Sequence, residues 1–123
     1  MTVTAYTLAV VLNVFCLFLG YRFLFQPAAA AAGYGVPADP AGDAGAYLTI
    51  KGLRDGTFGV VGLALLAFVG ATAEAWFMLA VALVPLGDTL IVLRHGGARA
   101  VAFGIHFATA VVVLVSAALL FAV

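Results

Sequence analysis

Charge is what this sequence has least of. Five basic and five acidic residues make up only 8% of its 123 residues, whereas a soluble domain carries roughly a quarter charged residues. So thin a spread cannot cover a water-facing surface, which excludes a soluble globular enzyme and a disordered chain alike. The charges also cancel, so no basic footprint invites nucleic acid, and no such partner is expected. Cysteine is nearly absent: Cys16 stands alone in an apolar run, with no second thiol for a disulfide and no CxxC or metal-binding spacing. Proline is scarce too, and three of the four fall between Gln26 and Ala46.

What is abundant is apolar chain, 67% of all residues. Crossing a hydrocarbon core takes about twenty apolar residues in a helix rising about 1.5 Å per residue. Four stretches qualify, at 3–25, 47–69, 75–93 and 100–123. They predict an all-α membrane protein built as one antiparallel, up-down four-helix transmembrane bundle over residues 1–123. The first stretch has no basic segment ahead of it and too long an apolar run for a signal peptide, so it reads as a retained span. Residues 26–46, "QPAAAAAGYGVPADPAGDAGA", favour turns and loose coil and form the one long loop. The other connections, 70–74 and 94–99, are tight, and "RHGGAR" offers Gly96 and Gly97 as helix C-caps. Tight turns force neighbouring helices antiparallel.

Lys and Arg in short flanking segments stay on the cytoplasmic side. Arg22, Lys51, Arg54, Arg94 and Arg99 all fall at one end of such a bundle, while the other end offers Glu74 and the termini. The expected location is therefore the cell (inner) membrane, with both termini outside and the long loop in the cytosol. Glu74 and Trp76 mark the outer interface, and Asn13 in mid-span reads as interhelical glue.

Ionisable groups inside a span are costly and point to function. Asp55 lies about one and a half turns into the second span, Asp88 about one and a half turns from the end of the third, and His106 about two turns into the fourth. All three reach roughly 8 to 10 Å below the same interface. Lys51 precedes Asp55 by one turn and can pair with it. Arg99 and Phe103 are expected on the His106 face, Thr57, Thr89 and Thr109 supply hydroxyls, and Tyr21, Tyr34 and Tyr47 suit the cytosolic rim. Gly52 and Gly56 form a GxxxG followed by Gly59 and Gly62, with Gly20 and Gly104 as close-approach partners. Pro85 interrupts the third span just before Asp88, so that a kink there widens a cavity.

Purely structural readings stand beside each of these. Asp55 can be neutralised by Lys51 or Arg54, and Asp88 by Arg94 or Arg22; His106 can bond a carbonyl, and Arg22, Arg94, Arg99 and His95 can snorkel to headgroups. The spacing of one histidine and two aspartates does not demand a metal, two histidines at different depths do not suit haem, and no nucleotide or hydrolase motif occurs. No cofactor and no metal are expected.

The segments "GYRFLFQPAAAAAGYGVP", "AYLTIKGLRDGTFGVVGLALL" and "LGDTLIVLRHGG" resemble the small integral-membrane family catalogued as domain of unknown function 4267. "KGLRDG" and "GDT" are the most specific parts, and the resemblance, over most of the chain, implies a four-helix membrane protein. The layout is also similar to DoxX-like and anthrone-oxygenase-like four-helix proteins, in architecture only. No catalytic residue is implied by either.

Three functions follow as expectations. The first is a membrane-embedded enzyme, an isomerase, cyclase or cofactor-independent oxygenase acting on a small lipophilic substrate. In it Asp55, Asp88 and His106 are the catalytic groups, and Lys51, Arg54, Arg22, Arg94 and Thr89 bind the substrate. The second is a small-molecule binding or transport component using the same groups. The third is an accessory subunit whose ion pairs fix helix register. Abundant Ala and Gly faces suit a homo-oligomer in each case.

Overall fold

The computed structural model describes residues 1–123, and the chain is helical with no strand. Helix α1 covers Thr2–Phe25, α2 Pro27–Tyr34, α3 Ala44–Phe68, α4 Ala71–Val81 and α5 Leu83–Arg94. The last rod starts as one turn, α6 (Arg99–Val101), widens into a π-helix over Ala102–Phe107, and continues as α7 (Ala108–Phe121). Helices α4 and α5 likewise make one rod, interrupted at Ala82 because Pro85 has no N–H to give the Val81 carbonyl.

Three rods are long and apolar enough to cross a membrane: Thr2–Phe25, Ala71–Arg94 and Arg99–Phe121. Their large side chains face outward on several sides, among them Val10, Val14 and Phe18 on α1, Leu83 and Leu90 on α5, and Val111 and Val115 on α7. Only 23 of 123 residues are buried, so in water most of this apolar surface would be wet; in lipid it is solvated. The chain is an integral membrane protein. Helix α3 matches the others in length, but Lys51, Arg54 and Asp55 in its first half leave it less apolar than the three rods.

Two expectations about the connections need correction. Residues 26–46 are not one loose loop, because 27–34 form α2. Pro27 occupies the first helical turn, where its missing N–H costs nothing, the alanines 28–32 are the best helix formers, and Gly35 closes the helix at φ 97. The turn after α3 is shorter than 70–74. Gly70, at φ 121, allows α4 to begin at Ala71, so Glu74 lies within the helix and is 0% exposed instead of marking the outer interface. The other turn ends as expected: Gly96 sits at φ 74, its N–H reaches the Leu93 carbonyl at 3.3 Å, and the Gly97 N–H reaches the Val92 carbonyl at 2.8 Å, a Schellman cap.

Helices α1 and α3 pack closely, from Asn13 against Gly59 and Gly62 to Leu24 against Gly52. A Cβ on Gly20 would stand 2.7 Å from the Gly56 nitrogen, and one on Gly59 would stand 2.6 Å from the Asn13 carbonyl oxygen, so hydrogen at these positions sets the interaxial distance. Gly104, expected as another close-approach position, meets nothing within 4 Å. Near the termini α1, α4 and α7 close over a small-residue core of Ala5, Ala9, Ala75, Met78, Ala117 and Leu120. The opposite end, where α2 lies, is open.

Candidate functional site

The open end holds a cavity of about 290 Å³, close to the lower limit of small-molecule pockets at roughly 300 Å³. Its polar lining comes from six elements: Arg22 of α1, Tyr34 of α2, Lys51 and Asp55 of α3, Asp88 of α5, His106 of the π-helix and Thr109 of α7. Phe15, Phe18, Leu19 and Val84 form an apolar wall toward the bundle middle.

Tyr34 is the hub. Its hydroxyl donates a short hydrogen bond to Asp88 Oδ2. Its ring lies 4.2 Å from the His106 ring and edge-on to Phe23 at 5.6 Å. The Lys51 ammonium stands 4.3 Å above the Tyr34 ring and 4.7 Å from that of Phe23, contacts worth about 0.5–2 kcal/mol each when partly desolvated. The same ammonium donates to Asp55 Oδ2 at 2.9 Å, the one ion pair of the fold. One short helix therefore ties the carboxylate of one rod to the imidazole of another.

His106 is 3% exposed. Its Nε2 lies 2.7 Å from the Tyr34 carbonyl oxygen, which can only accept, so Nε2 carries the hydrogen and a neutral ring keeps its lone pair on Nδ1. The π-helix carries an extra residue per turn, which turns the histidine inward and separates it from Phe103, 50% exposed on the outer surface. The expected shared face with Phe103 and Arg99 is thus broken, and Arg99 is exposed.

Asp55, Asp88, His106, Lys51 and Arg22 line one cavity. Arg54 is exposed and borders a neighbouring recess with Tyr47, Ile50 and Phe58. Thr89 is buried, and its hydroxyl donates to the Pro85 carbonyl at 2.8 Å; this spends the bond within α5 and leaves Thr89 off the cavity wall. Arg94 is exposed beyond the cavity, because it ends α5 where the Schellman turn begins. Asp88 pairs with neither Arg94 nor Arg22, and its partner is the Tyr34 phenol. Tyr34 is the residue that sequence reasoning left on the rim. Its signal lay in Pro27, the alanine run and Gly35, the start, body and stop of a helix. No group of three His, Cys, Asp or Glu side chains is arranged to hold a metal.

Arg22 is the cation at this end that carries a buried, unmet donor. Its Nε is buried and has no hydrogen-bond partner, and no carboxylate lies within ion-pair distance. A buried donor left unmet costs about 1–3 kcal/mol.

Comparison with curated proteins and with solved structures returned no match. The model of a family described as Domain of unknown function (DUF4267) matches residues 13–120, a stretch holding every cavity residue from Phe15 to Thr109, and the chain belongs to that family.

Proposed function

We propose that this protein is a membrane-embedded enzyme that moves protons on a small lipophilic substrate, as in an isomerisation or cyclisation. The observation that carries the reading is a single cavity touching Asp55, Asp88 and His106 beneath an apolar wall. His106 Nδ1 is the base, because Nε2 is committed to the Tyr34 carbonyl. Asp88, held by the Tyr34 hydroxyl, is the proton shuttle, and the Lys51 N–H groups not given to Asp55 are the donors to an enolate or phenolate oxygen as it develops. Phe15, Phe18, Val84 and Ile105 line the cavity yet are 39–50% exposed, which supports entry sideways from lipid.

In this reading α3 is a fourth crossing of an antiparallel bundle, supported by its 25-residue length and by Lys51 and Asp55 neutralising each other. Arg22 and Lys51 line the cavity, which supports a reading with that end in the cytosol and both termini outside. Open space at Gly87 and Gly104 suits self-association.

The test requires no knowledge of the natural substrate. Purified protein in detergent is incubated in D₂O with lipophilic enolisable ketones, and deuterium uptake at the acidic carbon is followed by mass spectrometry. Wild type is expected to catalyse exchange, and His106→Gln and Asp88→Asn to lose it by about 10²–10⁴-fold. Exchange no faster than in empty micelles, or equal in the variants, would overturn the reading. A second reading, ligand binding without turnover, is favoured by the full pairing of Asp55 with Lys51 and Asp88 with Tyr34; it predicts ligand retention with no exchange.

A further inference from the structure

We infer that the cavity takes a single-chain amphiphile with a carboxylate head, and that Arg22 holds the head. The inference rests on the proposed cavity and names the class of its ligand. Each other charged group there already has a partner: Lys51 has Asp55, and Asp88 has Tyr34. Arg22 lines the cavity, its Nε is buried with no hydrogen-bond partner inside the protein, and a guanidinium in need of a partner is met by a planar two-oxygen anion through a bidentate contact. A hydroxyl or an amine would not meet it, since one offers a single oxygen and the other adds a like charge.

The depth profile agrees. Arg22 stands three residues from the end of α1, near the helix end, while Phe15 lies seven residues, about 10 Å, further toward the middle. The cavity is therefore polar where an acyl carboxylate sits in a leaflet and apolar where its chain runs. At about 290 Å³ it holds a head and the first part of a chain, and the exposed wall of Phe18, Val84 and Ile105 lets the rest pass into lipid.

The test is equilibrium binding of radiolabelled myristate to the protein in neutral maltoside micelles, with competition by myristyl alcohol, myristylamine, acetate and dimyristoyl phosphatidate. Myristate is expected to bind at least tenfold more tightly than the alcohol or the amine, and acetate not to compete, because the chain is needed as well as the head. Arg22→Gln is expected to weaken myristate binding by roughly tenfold to a hundredfold, the worth of hydrogen bonds to a charged group. Arg99→Gln, which removes an equal charge outside the cavity, leaves binding unchanged. Should Arg22→Gln fail to fold, Arg22→Lys decides: a retained point charge without the fork keeps part of the affinity, and unchanged affinity overturns the inference. Equal binding of alcohol and acid, preference for the amine, or binding of phosphatidate alone also overturns it. Deuterium exchange that persists while myristate fails to bind removes the carboxylate ligand and leaves the acid–base site standing; exchange that fails while myristate binds does the reverse.

Discussion

The two ends of this bundle bury carboxyl groups in opposite ways. Toward the termini Glu74 is wholly enclosed, its Oε1 accepting from Asn13 Nδ2 at 2.7 Å, with alanines and Met78 packed around it. Asn13 also donates to the Ala9 carbonyl at 3.0 Å and lies against Gly62, so that the pair is part of the α1–α3 contact. Toward the basic end Asp55 and Asp88 are each held by a single side-chain donor and face a cavity. The difference lies in what surrounds the acid. Small residues let rods close around the acid, and it becomes mortar; a proline break, a π-helix and an inserted short helix accompany the end where the acids face a hollow.

Substitutions should separate the ends, the closed one answering in stability and the open one in ligand handling. The largest effect is expected from Gly59→Leu, which drives a side chain into the Asn13 carbonyl and Leu17. Overpacking of this kind costs about 1–3 kcal/mol or more, and the yield of monodisperse protein after heating should collapse. Next, Asn13→Ala leaves Glu74 buried without its donor and should lower stability by about 1–3 kcal/mol, whereas Glu74→Gln, which keeps an acceptor at the same place, should cost much less; chemical denaturation in micelles measures both. At the open end Tyr34→Phe should cost only about 1 kcal/mol in the same denaturation series yet remove most deuterium exchange, because Asp88 loses its only donor. The smallest change is expected for Arg54→Gln, within about 0.5 kcal/mol and without effect on exchange, since Arg54 is exposed outside the main cavity. If Asn13→Ala impaired exchange as strongly as Tyr34→Phe, the two ends would not be separate.

Much of the long-range order was legible because helix geometry is rigid. A fixed rise per residue placed Asp55, Asp88 and His106 at one depth, and they line one cavity. The glycines on α3 announced the contact with α1, although the register at Gly20 required the structure. Misreadings arose where local chemistry overrode composition. Prolines near glycines read as coil, yet Pro27 starts a helix and Gly35 stops one, which brought Tyr34 into the site. Glu74 read as an interface marker because a charge beside a turn normally meets water; its partner Asn13 is 61 residues away, a distance no local pattern spans. The π-helix was illegible for a related reason, since a 3.6-residue period was assumed through His106.

A rod carrying one surplus residue is out of phase with itself on the two sides of the surplus, so its phase can be reset by removing a single amino acid. Gly104 sits inside the π-helix with empty space around it and is the natural one to remove. Without it, α7 would remain anchored by Ala110, Ala117 and Leu120 while the Arg99 side swings by about 100°. One codon separates two settings of the same rod, which differ in the direction taken by Arg99 and Phe103 while His106 stays with the anchored side.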